Sequence, residues 1–182
     1  MMAIDPTVDL VRYEWKDGQW TFKDSEIRCF YDHMVGKRET WYNADDKDFR
    51  DNPRWNVVSY FRSCMVWLVT VDGQPGGLIW LSSVNRPNKS GFLNFAVMDF
   101  LTETMQRKVH VCLEAVRRVM DMPEFNVLYA ETSVCRTTSL MMADYIGFQR
   151  LGVIPKAHYH IDEDRYYDTV FMYLTKETIR RN

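Results

Sequence analysis

The chain has few of the residues from which common catalytic and binding signatures are built. Its four cysteines, Cys29, Cys64, Cys112 and Cys135, are scattered without a CxxC pair. That spacing argues against a zinc ribbon or a disulfide framework and fits reduced thiols in a cytoplasmic protein. No apolar run approaches the roughly 20 residues needed to cross a bilayer. Asp5, Asp9, Arg12, Glu14, Lys16 and Asp17 interrupt the amino-terminal stretch, leaving no apolar centre for a signal peptide. A formal net charge of −2 gives no basic field, which disfavours nucleic-acid binding. Neither a G-x-S-x-G elbow nor a G-x-x-x-x-G-K-[ST] phosphate loop occurs, and no repeat or low-complexity tract is visible.

Apolar and aromatic residues are plentiful. A hydrophobic fraction of 46% and an aromatic fraction of 14% over 182 residues place the chain among globular proteins. The length fits one domain, burying roughly 70% of the surface its unfolded chain would expose. Residues 1–62 read as an amino-terminal, partly helical portion, and residues 65–175 as the core.

Local patterns predict the elements. Residues 10–15 and 20–22 flank Asp17-Gly18, a hairpin turn signal. Asp24 or Ser25 caps a helix running to about Val35, and one or two short helices fall within residues 45–62. Two apolar runs, 65–71 and 78–84, flank a turn rich in glycine and proline and give the clearest hairpin signal. Residues 92–98 are apolar on both faces except at Asn94, as in a central strand covered on both sides.

A helix over about 103–120 follows, with Thr102 as its cap. Met105, Val109, Cys112, Leu113, Val116 and Met120 form its apolar stripe. A strand at 127–132 and a helix at 136–146, apolar on most sides and so expected to be buried, come next. Gly147 suits the left-handed residue that ends a helix. Strands near 149–154 and 169–174 finish the chain. The strand–helix–strand crossover implies parallel pairing and the hairpin antiparallel pairing. The predicted fold class is therefore α/β: a mixed sheet with helices on both faces.

The run "NVLYAET", the helix "RTTSLMMADYIGF", the stop "GFQRLGVIPKA" and the closing strand "DTVFMYL" together resemble the end of the GNAT N-acetyltransferase fold. The closing combination is similar to a divergent GNAT-like group that is often phage- or prophage-encoded, and the match spans about 65–175. The resemblance implies acetyl-CoA as co-substrate and direct acetyl transfer to an amine-bearing small molecule or protein, by a monomer or homodimer. It also implies that the strand at 92–98 pairs with the pantetheine arm, as a peptide pairs with a sheet edge. The next helix would receive the diphosphate at its amino terminus, where free N–H groups favour an anion.

The family's Q/R-x-x-G-x-G/A motif is replaced here by "LTETMQRKVHV", which has no glycine. Gln106, Arg107 and Lys108 would supply donors and charge in its place, or simply form a solvated first turn. Arg136 stands where the family has Asn in its next helix, and is taken as a further cofactor contact. Ala143 stands where the family often has the tyrosine that protonates the departing thiolate. Tyr145, about 200° round the helix from Ala143 and so expected to point elsewhere, is either a substitute acid or simply a core or surface tyrosine; Tyr159 and Tyr31 are further options.

Amine nucleophiles with pKa values from about 7.8 to 10.4 benefit from a base. Glu131 ends one strand of the expected cleft and is the favoured base; its alternative roles are a salt bridge or a helix cap. Asp99 ends the other strand and reads as a turn or capping residue. A backbone N–H near Val97 or Met98 would hold the oxyanion. His158 and His160 fall on one strand face, followed by Asp162 and Asp164. That set suits a metal in principle, but the family needs none and a hydrated hairpin explains it. Cys135 near the cleft mouth lacks an identifiable partner. The lost glycines and tyrosine keep a second function open: a catalytically inactive GNAT-fold interaction or assembly protein.

Overall fold

The structure, a computed structural model, describes residues 6–23, 25–26, 57–97, 104–160 and 163–179. Its strands are β1 (Val8–Tyr13), β2 (Trp15–Lys16), β3 (Gln19–Trp20), β4 (Met65–Val71), β5 (Gln74–Asn85), β6 (Ser90–Val97), β7 (Val127–Ser133), β8 (Gln149–His160) and β9 (Arg165–Thr175). The helices are α1 (Val57–Ser63), α2 (Met105–Asp121) and α3 (Thr137–Ile146). Seven strands form one sheet in the order β1-β4-β5-β6-β7-β9-β8, and β2 and β3 form a small hairpin.

Both predicted turns occur. Asp17-Gly18 and Asp72-Gly73 each place two consecutive residues at positive φ, the twist that a tight hairpin requires. The expected 10–15/20–22 hairpin is shorter than its sequence suggests. Its first residues instead belong to β1, which pairs antiparallel with β4 from Val8↔Val71 to Tyr13↔Val66. Ser25 and Glu26 are helical, but the rest of the helix expected to reach Val35 lies outside the described residues, as do residues 45–56.

The β4–β5–β6 meander is antiparallel throughout. A Cβ on Gly77 would come within 2.4 Å of the Ala96 carbonyl oxygen, so only glycine lets β5 and β6 approach this closely. From β6 the chain crosses through α2 to β7, which lies parallel to β6.

The sheet carries a core on each face. On one, Trp67, Val69, Ile79, Leu81 and Leu128 meet Val111, Cys112, Ala115, Val116 and Val119 of α2. On the other, Val66, Leu68, Leu78 and Trp80 meet Phe61 of α1, with Tyr13 and Phe22. Within β6 the alternation is clean. Leu93, Phe95 and Val97 pack toward the α2 core, and Ala96 packs toward the α1 core.

Three sequence expectations change. The cap of α2 is Thr104, whose side chain accepts from the Arg107 N–H. Its buried face is turned toward Val111, Ala115 and Val119, and Met105 is 52% exposed, because that residue precedes the part of the helix lying on the sheet. On α3 only Ile146 is fully buried, while Met141 is 71% exposed. That helix rests one side on the sheet and leaves apolar side chains in solvent. Gly147 does end it at φ 112°, with the Gly147 and Phe148 N–H groups donating to the Ala143 carbonyl.

Candidate functional site

The parallel pair β6 and β7 is in register for three residues only: Ser90↔Val127, Gly91↔Leu128 and Phe92↔Tyr129. Beyond this point the two strands part. β6 stays paired with β5 as far as Gly77↔Val97, and β7 stays paired with β9 as far as Ser133↔Thr169. The fork therefore opens a gap in the middle of the sheet, leaving strand backbone without a neighbour on that side.

A cavity of about 350 Å³ fills the gap. It reaches both faces of the sheet. Cys112, Val116, Met142 and Ala143 of the two long helices line one side, and Tyr60, Trp80 and Asn94 line the other. Residues 130–133 of β7, with Arg136, His158 and Thr169, complete the wall. Trp80 Nε1 donates to the Tyr60 hydroxyl at 3.4 Å, and Asn94 Nδ2 donates to Ser82 Oγ at 3.3 Å. These bonds fix the polar edges on the α1 side.

Among the described residues the buried polar side chains are Ser133, His158 and Thr169, and all three line this cavity. Buried polar groups are costly unless they are bonded, so their concentration at one place marks a site. Burial above all, then the neighbouring Arg136 and His160, pushes the His158 imidazole down to about 4, so it is uncharged at neutral pH. Burial pushes the Cys112 thiol well up and leaves it inert.

Of the residues singled out in the sequence, Glu131 and Arg136 line the cavity. Glu131 is exposed and sits two residues past the fork, opposite Phe171 on β9. Arg136 is the N-cap position just before α3, and its side chain makes no capping hydrogen bond. Val97 ends β6, while Met98, Asp99 and Tyr31 lie outside the described residues. Tyr145 is 40% exposed on α3 and is not among the residues lining the cavity, whereas Ala143 is.

Gln106, Arg107 and Lys108 form the first turn of α2. Arg107 reaches Asp72 Oδ2 at 2.8 Å, and its buried Nε has no hydrogen-bond partner. Tyr159 donates to Asp164, which raises its pKa. His160 lies 3.8 Å from Glu163, and among the described residues no group of three His, Cys, Asp or Glu side chains is arranged to hold a metal ion. Cys135 Sγ contacts Ser133 Oγ at 3.1 Å.

Sequence reading missed Tyr60, Trp80 and the depth of His158. The strands near 149–154 and 169–174 extend to His160 and back to Arg165, and that extra length carries His158 to the cavity. The pattern His158-x-His160 puts both imidazoles on one strand face, but the depth of His158 comes from the register shift between Ile154 and His158, which has no signal in the sequence.

No protein-family model and no curated protein matches the chain. Solved structures do. A spermidine N-acetyltransferase from Vibrio cholerae in complex with CoA and spermine matches with a TM-score of 0.66 at 12% identity, covering 96% of this chain and 97% of that one. RimL, a ribosomal L7/L12 alpha-N-protein acetyltransferase in complex with coenzyme A, matches with a TM-score of 0.65 at 12% identity, covering 93% and 94%. The microcin C7 self-immunity acetyltransferase MccE, in complex with acetyl-CoA and AMP, gives 0.56 at 11%, covering 82% and 84%. At such identities the likeness establishes the fold, which is that of the GNAT acetyltransferases.

Proposed function

We propose that the chain is an acetyl-CoA-dependent N-acetyltransferase that passes an acetyl group directly to an amine. The observation that carries this reading is the fork beyond Phe92 and Tyr129, with a cavity open to both faces of the sheet. A thioester and an amine can enter from opposite faces and meet between the strands, which converts a two-body encounter into a positioned attack.

In this reading the freed edge of β6 receives the amide-rich pantetheine arm. The diphosphate lies at the amino terminus of α2, where the Met105 and Gln106 amides precede the first intrahelical bond. The partnerless Arg107 Nε at that turn supports an anion there, with Gln106 and Lys108 beside it and Arg136 across the cavity. A backbone N–H near Val97 or Met98 stabilises the oxyanion. Glu131 takes the proton of the attacking amine. The new N–C bond forms, the C–S bond breaks, and the sulfur leaves as a thiolate. A thiol of pKa about 8.5 leaves with little help from an acid, so Ala143 in place of a tyrosine does not stop the reaction. Tyr145, which is not among the residues lining the cavity, has no part in this step.

The same Ala143 favours a second reading, a GNAT fold that binds without turnover and serves as an interaction protein. One experiment separates the two. Thermal unfolding with and without millimolar acetyl-CoA, followed by thiol release with a panel of primary amines, yields a raised Tm and turnover under the first reading. A raised Tm without turnover supports the second, and an unchanged Tm rejects acetyl-CoA as the ligand.

A further inference from the structure

β8 is exposed from Gln149 to Ala157, and then His158 turns inward to 6% exposure. The turn is made by an irregularity. Ile154 pairs with Thr169 but His158 pairs with Tyr167, so β8 gains extra residues against β9. Inside that bulge Lys156 sits at φ 50°, a left-handed conformation that costs a non-glycine residue energy, and its N–H is held by Asp168 Oδ1 at 2.9 Å.

The strained segment delivers an imidazole whose Nε2 is buried with no hydrogen-bond partner. The other two buried polar side chains lie opposite each other in register, Ser133 and Thr169, and Ser133 is bonded to Cys135 and to the Asp168 carbonyl. A partnerless nitrogen in a cavity wall is a loss to the empty protein and a ready contact for a ligand.

We propose that His158 is a substrate-contacting residue: as a neutral imidazole it accepts, at Nε2, a hydrogen bond from an N–H of the acceptor amine and so orients the amine lone pair toward the thioester carbonyl. The inference rests on the acetyltransferase reading and names a contact within that site. A carboxylate in this position would hold the amine as a non-nucleophilic ammonium ion. An uncharged acceptor beside the Arg136 guanidinium does not. The two cavity groups then divide the work: His158 holds the neutral amine by one N–H, and Glu131 takes the proton that the nitrogen loses as the N–C bond forms and the thiolate departs. Accepting at Nε2 requires the proton on Nδ1.

The test uses the full chain with acetyl-CoA and three probe amines: benzylamine, 1,4-diaminobutane and a tripeptide with a free amino terminus. His158→Phe removes the nitrogen at similar shape, and His158→Gln restores an acceptor. The expected result has three parts. H158F unfolds at the same or a higher Tm than the wild type, because a buried nitrogen without a partner is replaced by apolar surface. Its kcat/KM for the amine falls about tenfold or more while the KM for acetyl-CoA is unchanged, and H158Q recovers most of the loss. In ¹⁵N spectra His158 carries its proton on Nδ1, and its Nε2 signal moves when an amine binds. The proposal is overturned by a lower Tm for H158F, by wild-type turnover in H158F, by a proton on Nε2, or by an Nε2 signal that none of the amines shifts. Failure of the acetyltransferase reading registers separately, as a wild-type protein whose Tm acetyl-CoA leaves unchanged or which releases no thiol with any of the amines.

Discussion

Phe92 and Tyr129 are the last residues to face each other across the parallel strands β6 and β7, with ring centroids 5.8 Å apart and Phe171 set edge-on to Phe92 at 5.4 Å. The three rings close the base of the fork. Phe92→Ala removes the shared ring, and since Phe92 is half-buried the expected cost is about 2 kcal/mol, below that of a fully buried phenylalanine. Urea unfolding measures it. Acetyl-CoA affinity falls with it, because the branch point of the pocket loosens; wild-type affinity in F92A would show that the rings do not set the gap.

Glu131 projects from β7 just past that base. If it removes the amine proton, Glu131→Gln lowers kcat by about 10²- to 10⁴-fold while leaving the Tm shift by acetyl-CoA in place. The loss shrinks as pH rises and hydroxide takes over the removal of that proton. An unchanged rate at neutral pH assigns the base elsewhere.

His158 makes stability depend on pH. Its folded pKa, about 4, lies below the 6.5 of an unfolded histidine, so between these values the unfolded chain binds the extra proton. Stability contributed by keeping it neutral is complete above about pH 6.5 and drains away as pH falls toward 4. Chemical denaturation across that window is expected to show a decline that is shallower in H158F. Equal slopes in the two proteins would mean that other groups cause the acid sensitivity.

Arg107 faces two anions in turn, Asp72 now and the diphosphate in the proposed complex. Its bridge to Asp72 is between half-exposed side chains, so losing it costs under about 1 kcal/mol. Arg107→Ala is expected to weaken acetyl-CoA binding several-fold, more at low salt than at high. Asp72→Asn should do the reverse and tighten it, since asparagine tolerates the left-handed turn and releases the guanidinium. Calorimetric titration of both variants decides; a weakened D72N would show that the bridge positions the helix.

Local patterns made much of the scaffold legible. The 65–84 hairpin announced itself by two apolar runs about a glycine-rich turn. The crossover through α2 fixed the parallel pair, and Gly147 marked the end of α3. What stayed hidden depends on partners remote in sequence. β1 reads like the arm of a local hairpin because nothing in residues 8–13 reveals that β4 is their neighbour. Met105 carries the right spacing for the α2 stripe yet precedes the sheet contact. Glu131 was singled out as the end of a strand and Arg136 by its place in the family resemblance, and both line the cavity. The depth of His158 was not legible, because its burial comes from a bulge that alternation cannot foresee.

The brevity of the β6–β7 register has a mechanical meaning. The sheet is two plates, β1-β4-β5-β6 and β7-β9-β8, stitched along a seam three residues long. Within the first plate β5 and β6 pair so closely at Gly77 that no Cβ fits there. Turning the second plate about that seam would change the width of the gap. A molecule lodged between the plates acts as a wedge that sets their angle, and amide exchange along the inner margin of β6 would register its arrival.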